Sequence, residues 1–292
     1  MVKIKEDFYD LALAQVVELK TVKPELKDIL DFYEPILKAQ RQVKLSFQPE
    51  LSKFDIELCH KRNSKGQPFL RLKDIQIDHD LFNGLLVDIV QIIRSKRKEA
   101  IPVTQNDFPL DKKCASLLRG LMKNNSVLEK LACKMNIDFS IFYFLITQAF
   151  SPFLESYSQK LSEFVDSSSW HRGDCPICGS EPLIARLEKE TGKKWLFCSL
   201  CHCEWLFRNL ICAFCGNEDQ DSLRYFYVES DERYRVDICD KCKKYIKIVD
   251  ARKTEQVMNL FVENLATLAL DIVANKEGFK GENISLFGMK EN

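Results

Sequence analysis

From residue 5 to about residue 165, apolar positions recur at the three- and four-residue spacing of helix faces. Phe8, Leu11, Ala12, Val16 and Leu19 form the first such face. Pro24 suits the first turn of a second helix, whose face is Leu26, Ile29, Leu30, Tyr33 and Leu37. Pro35 falls inside that stretch and is expected to kink it or end it early. Asp78 or Asp80 can cap a helix carrying Phe82, Leu85, Leu86, Ile89 and Ile93. Further helical patterns cover 110–122, 126–135, 137–150 and 152–165, with turn-like stretches NSKGQP (63–68) and IPVTQNDFP (101–109) between elements. These stripes are core-forming, and no motif for chemistry interrupts them.

The pattern changes at SSSW (167–170). Short β-like runs follow, with every tightly spaced cysteine pair of the chain. After Lys253 the helical period returns, with Val257, Phe261, Leu265, Leu268 and Ile272 on one stripe.

Four C-x-x-C pairs occupy the intervening stretch: Cys175/Cys178, Cys198/Cys201, Cys212/Cys215 and Cys239/Cys242. The gaps between pairs run long, short, long, which divides them into two units. Unit one is CPICGSEPLIARLEKETGKKWLFCSLC and unit two is CAFCGNEDQDSLRYFYVESDERYRVDICDKC. Each opens with C-x-x-C-G-[SN]-E, passes through a predicted hairpin and closes with a second C-x-x-C. The hairpins pair 183–187 with 194–197 and 223–229 with 234–238, turning at Thr191-Gly192 and Ser230-Asp231. Two thiolates three residues apart on a tight turn can reach one metal, and the glycine after the second lets the backbone take positive φ. Two such knuckles joined by a hairpin supply a closed Cys₄ tetrahedron. One metal is therefore assigned to Cys175, Cys178, Cys198 and Cys201, and another to Cys212, Cys215, Cys239 and Cys242. A crossed pairing, first pair with third and second with fourth, is the alternative. Cys203 is then the spare thiol, with His202 beside it.

The expected fold is α+β. An all-α helical domain (1–166) precedes a duplicated rubredoxin-like or zinc-ribbon Cys₄ module (167–252), and a closing helix and tail (253–292) complete it. Cys59, Cys114 and Cys133 lie in helical patterns and read as buried thiols, and His60, His79 and His171 as surface or capping residues. Trp170, Trp195 and Trp205 stand near the knuckles as interface or core side chains. Trp205, directly after a knuckle, is expected to pack within the module.

Charge and composition narrow the chemistry further. Forty-three basic residues balance forty-three acidic ones, which argues against sequence-independent nucleic-acid binding. The short basic run Arg94, Lys96, Arg97 and Lys98 reads as a solvated helix C-terminus. The N-terminus lacks the apolar core of a signal peptide, and no run reaches the ~18 apolar residues of a membrane span. The expected location is the cytoplasm, where twelve cysteines indicate metal or redox chemistry before disulfides. Tetrahedral S₄ sites suit zinc or a single rubredoxin-type iron equally. Closed sites leave no position for substrate, and no nucleophile–base pair or phosphate loop occurs, so no enzyme activity is expected.

The segments WHRGDCPICGSEP (170–182), WLFCSLCHCEWLFRNLICAFCG (195–216), DICDKCKKYIKIVD (237–250) and NLATLALDIVANKEGF (264–279) resemble the formate dehydrogenase accessory protein family FdhE. The resemblance spans the C-terminal half in the family's order, and the N-terminal helices fit the family's all-α domain more loosely. It implies a cytoplasmic maturation factor that associates with the catalytic subunit of a molybdenum- or tungsten-dependent formate dehydrogenase. It also implies rubredoxin-type iron in both sites, with zinc as the alternative. The family's eight cysteines match the eight assigned above, and Cys203 departs from the family pattern. Two other readings are a zinc-ribbon nucleic-acid binder and a rubredoxin-like electron carrier.

Overall fold

The computed structural model describes residues 7–96, 101, 114–123, 125–166, 169–227 and 231–281. Most of the predicted turn at 101–109, the end of the basic run at 97–98 and the hairpin tip at 228–230 lie outside the described residues. The helices before the sheet are α1 (Phe8–Val22), α2 (Lys27–Ser46), α3 (Ile56–Asn63), α4 (His79–Lys96), α5 (Cys114–Lys123), α6 (Ser126–Lys134) and α7 (Phe139–Leu161). The strands are β1 (Pro182–Leu187), β2 (Lys194–Cys198), β3 (Glu204–Phe207), β4 (Leu223–Tyr227), β5 (Tyr234–Cys239) and β6 (Tyr245–Asp250). Helices α8 (Leu260–Ala266) and α9 (Leu268–Lys276) follow them. Described residues up to 53, with 71–157, form one compact unit, and 54–70 with 158–281 form the other.

In the first unit, the Asp7 carboxylate caps α1 by accepting from the Tyr9 amide at 2.9 Å. Asp78 does the same for α4, accepting from Asp80 and Leu81 at 3.0 Å each. Pro35 does not end α2, which runs for 20 residues. Phe32, Tyr33, Ile36 and Leu37 are buried on both sides of it, so packing holds the helix through the missing hydrogen bond. The two expected segments 137–150 and 152–165 likewise form the single helix α7 across Pro152. Proline at 152 leaves the Gln148 carbonyl without its helical donor, and the Gln40 side chain of α2 donates to it at 2.8 Å. The core is aromatic: Phe82 lies 4.6 Å from Phe150 and Phe47 lies 4.9 Å from Phe153, centroid to centroid. Lys44, buried, pairs with Asp7 and Glu155 at 2.7 Å each. Cys59 and Cys114 are buried, but Cys133 is exposed, because it falls on the outer side of α6, opposite buried Leu128 and Ala132.

The second unit is built on one six-stranded sheet in the order β3-β2-β1-β6-β5-β4. Each cysteine unit contributes an antiparallel meander, β1-β2-β3 or β4-β5-β6. The third strand of each, β3 and β6, goes beyond the predicted hairpins. Parallel pairing of β1 with β6, Ile184 opposite Lys247 through Leu187 opposite Asp250, joins the meanders. The repeat is therefore head to tail, which makes this central junction parallel.

The closing stripe is present as two helices broken at Thr267. Lys247 of β6, 1% exposed, donates to the Asn264 carbonyl at 2.9 Å and to Asp271 at 2.7 Å. Tyr245 donates to the other Asp271 oxygen at 2.7 Å. A cation on the last carbonyls of α8 stabilises a helix end there. The second helix then buries Leu270 and Ala274 and leaves Ile272 exposed, as Val257 is before α8.

Phe82→Ala removes the ring at the centre of the aromatic cluster and is expected to cost about 3–5 kcal/mol, read as a lowered midpoint in thermal or denaturant unfolding. A change below 1 kcal/mol would contradict the packing described for α4 against α7.

Candidate metal centres

The four C-x-x-C turns share one backbone design. In each, the first cysteine's amide donates to the carbonyl five residues on: Cys175 to Ser180, Cys198 to Cys203, Cys212 to Asn217 and Cys239 to Lys244, at 2.9–3.0 Å. The residue after the second cysteine has positive φ in every case. Gly179 (81°) and Gly216 (67°) fill it in the opening knuckles, but His202 (58°) and Lys243 (57°) fill it in the closing ones. A side chain there costs roughly 1–2 kcal/mol, so the knuckle fold is imposed on the closing turns by their surroundings.

Within each unit the four sulfurs converge. Those of Cys175, Cys178, Cys198 and Cys201 all lie within 4.8 Å of one another, and so do those of Cys212, Cys215, Cys239 and Cys242. The closest contacts are Cys178 to Cys198 at 3.4 Å and Cys175 to Cys201 at 3.5 Å. In the second cluster, Cys212 to Cys242 and Cys215 to Cys239 are both 3.7 Å. Sulfurs bound about 2.3 Å from a tetrahedral ion stand about 3.8 Å apart, whereas a disulfide requires about 2.05 Å. The donor sets therefore fit a tetrahedral metal and not two cystines. Backbone amides of Leu200 and Cys201 donate to the Cys198 sulfur at 3.4 Å each, as thiolate acceptors in metal knuckles require. The two clusters could bind two metal ions.

Burial pushes the thiols of Cys175, Cys198 and Cys201 well above the ordinary thiol range. Burial acts on Cys178 in the same sense, but hydrogen bonds from Cys175, Cys198 and Cys201 outweigh it and hold that thiol well below the range. In the second cluster burial raises Cys212 and pushes Cys242 up to about 11. Burial also opposes ionisation of Cys239, where amide donation from Cys242 and Lys241 overcomes it and lowers the thiol. A cation held among the sulfurs favours their ionised forms, and binding it expels protons.

The first cluster is fully enclosed: Cys175, Cys198 and Cys201 are 0% exposed and Cys178 is 1% exposed. Part of the cover comes from residues 54–70, far away in sequence. Phe69 and Leu70 donate their amides to the Pro176 and Ile177 carbonyls at 2.9 Å, and Asn63 donates its side-chain amide to Pro176 at 3.4 Å. Trp170 and Trp205, both 1% exposed, donate indole N–H groups to the Asp174 and Arg172 carbonyls at 2.8 and 3.1 Å. They are core side chains; Trp195 is half-buried under the Arg186 guanidinium, 5.4 Å from its ring centre. Gly173 joins the two modules: a Cβ there would stand 1.6 Å from the Ala213 carbonyl oxygen in the third knuckle. No local sequence signal marks that requirement for glycine, since it depends on a contact between repeats. Cys203 is buried and outside both sulfur groups; it takes the knuckle position of Ser180 and Asn217, and its thiol points to the Glu204 carbonyl at 3.5 Å. His202 stacks on Phe197 with centroids 5.5 Å apart. His60, His79 and His171 are exposed.

Family models divide the chain between the two clusters. The model described as FdhE, central domain, matches residues 174–209, and FdhE, C-terminal domain, matches 210–287. The FdhE homolog of Aquifex aeolicus is 28% identical over 281 residues, 94% of this chain and 93% of that protein. Over both cysteine units the chain is similar to the FdhE family. The homolog of Haemophilus ducreyi is 32% identical over 159 residues, 52% of this chain and 50% of its own length. That of Shewanella oneidensis is 32% identical over 113 residues, 38% of this chain and 37% of its own. The fold matches the crystal structure of the FdhE protein from Pseudomonas aeruginosa with a TM-score of 0.59, at 20% identity, over 94% of both chains. Both FdhE models open just before a first knuckle, at Asp174 and Leu210, so each takes in one complete set of four cysteines.

Cys178→Ser and Cys239→Ser are each expected to lower bound metal from two ions to one, and the double variant to none. Cys203→Ser should retain two. Elemental analysis of the purified proteins reads the outcome; loss of metal from the Cys203 variant would make that thiol a ligand. Because raised thiols must lose protons to bind, acidification should release metal, and recovery of full occupancy at acid pH would contradict the ionisation described.

Proposed function

We propose that this chain is an accessory protein that binds the catalytic subunit of a molybdenum- or tungsten-dependent formate dehydrogenase in the cytoplasm and assists its assembly into active enzyme. The observation that carries the reading is the pair of Cys₄ clusters, each enclosed within its own FdhE domain match. Each cluster offers four protein donors, the full complement of a tetrahedral ion, and so leaves no coordination position for a substrate. Metal ions bound there supply metal–thiolate cross-links between knuckles, and iron of the rubredoxin type, favoured here over zinc, would add a one-electron centre. The eight cysteines are the proposed ligands. Their effect on the chain is mechanical: each cluster ties the two ends of a hairpin together, so the sheet and adjoining helices present a rigid binding face.

The balanced charge of the chain speaks against a nucleic-acid partner. No single helix among the described residues is long and apolar enough to cross a membrane.

A tagged full-length chain should co-purify a formate dehydrogenase catalytic subunit from its host. Deleting the gene should lower formate oxidation while dehydrogenase transcript levels stay constant. Normal formate oxidation in the deletion strain, together with no dehydrogenase subunit among the captured proteins, would overturn the reading.

A further inference from the structure

The two clusters are alike in ligands and backbone but not in access. All four sulfur residues of the first are buried, whereas in the second Cys215 is exposed and Cys242 is intermediate. The knuckle tips explain this at the level of sequence. Pro176, Ile177 and Leu200 place apolar side chains at these tips, and Ile177 and Leu200 are 0% and 3% exposed. The corresponding tips of the second cluster are Ala213-Phe214 and Asp240-Lys241, and Lys241 is exposed. The segment 54–70 closes over the first tip through the Phe69 and Leu70 amides, and Pro68 sits 3.2 Å from where a Gly179 Cβ would be.

Two cavities also converge on the second cluster. One, of about 170 Å³, is lined by Cys212 and Cys239 together with Leu210 and Tyr225, which are 68% and 59% exposed. The other, of about 460 Å³, is lined by Cys212 and Cys215 with His171 and Arg208. Neither is lined by a cysteine of the first cluster. An ion held by the second set can thus be approached from two sides, whereas one held by the first is sealed under protein.

We propose that the two centres differ in permanence. The Cys175/Cys178/Cys198/Cys201 centre keeps its ion as a fixed part of the fold. The Cys212/Cys215/Cys239/Cys242 centre is the exchange site, where a divalent transition-metal ion enters and leaves, with Cys215 and Cys242 the ligands first met from solvent. The ion departs to a competing ligand and the freed thiolates take up protons from water, so the exchange needs no oxidant or reductant. This rests on both clusters being metal centres and is independent of which enzyme the protein serves.

The test uses the full chain loaded with two zinc ions and challenged with excess 4-(2-pyridylazo)resorcinol, whose zinc complex is coloured. Release should occur in two phases of equal amplitude, one ion each, with the faster at least about tenfold faster than the slower. Cys215→Ser should eliminate the fast phase and keep the slow one. Iodoacetamide labelling of the unmodified, zinc-loaded chain, mapped by mass spectrometry, provides a second reading free of substitutions. Cys215 and Cys242 should be alkylated before Cys175, Cys178, Cys198 and Cys201, with exposed Cys133 marking the rate of an unliganded thiol. A single release rate for both ions, a fast phase that survives in Cys215→Ser, or earlier labelling of the first cluster would overturn the proposal.

Discussion

Four sulfurs brought within 4.8 Å of one another, twice over, are the constraint around which the C-terminal half is organised. Thiols crowded in an apolar interior resist ionisation, and several thiolates side by side repel one another. A cation at their centre resolves both problems, so metal binding and folding of such a module are one event. The hairpins, the shared amide-to-carbonyl turn and the positive φ after each second cysteine are the backbone's means of presenting two sulfurs from each end of a β-hairpin. The head-to-tail joining of the meanders through β1 and β6 then makes one sheet from two metal units.

Much of this was legible because the signals are local. A C-x-x-C turn followed by glycine fixes the opening knuckles within five residues, and the repeated C-x-x-C-G-[SN]-E exposes the duplication. Features that depend on distant contacts were not legible. Strand β6 is buried at every position, so it lacks the alternation that marks a half-buried strand. Residues 54–70 read as part of the helical half, yet the Phe69 and Leu70 amides bond to the first knuckle. Across Pro152, the Gln148 carbonyl takes its donor from the Gln40 side chain of another helix. Gly173 looks unremarkable until the third knuckle's carbonyl is placed against it. His202 and Lys243 give no sequence sign of the left-handed backbone they adopt.

The duplication also shows how two copies of one site diverge without losing their ligands. The first has the buried apolar tip residues Ile177 and Leu200, two buried tryptophans and a covering segment from the N-terminal half. The second has one polar tip, Asp240-Lys241, and open flanks. Both cysteine sets fall within FdhE domain matches, but the difference in their access follows from this chain's own packing. Within one sheet, one cysteine cluster is sealed under protein and the other stays within reach of solvent.

The central claim is that every metal ion in this protein is held by four cysteine sulfurs. X-ray absorption at the metal edge, on the fully loaded full-length chain, measures that directly. The account predicts a first shell of four sulfurs at about 2.3 Å, with no nitrogen or oxygen component. A shell with imidazole or water ligands, or with fewer than four sulfurs per metal, would contradict it.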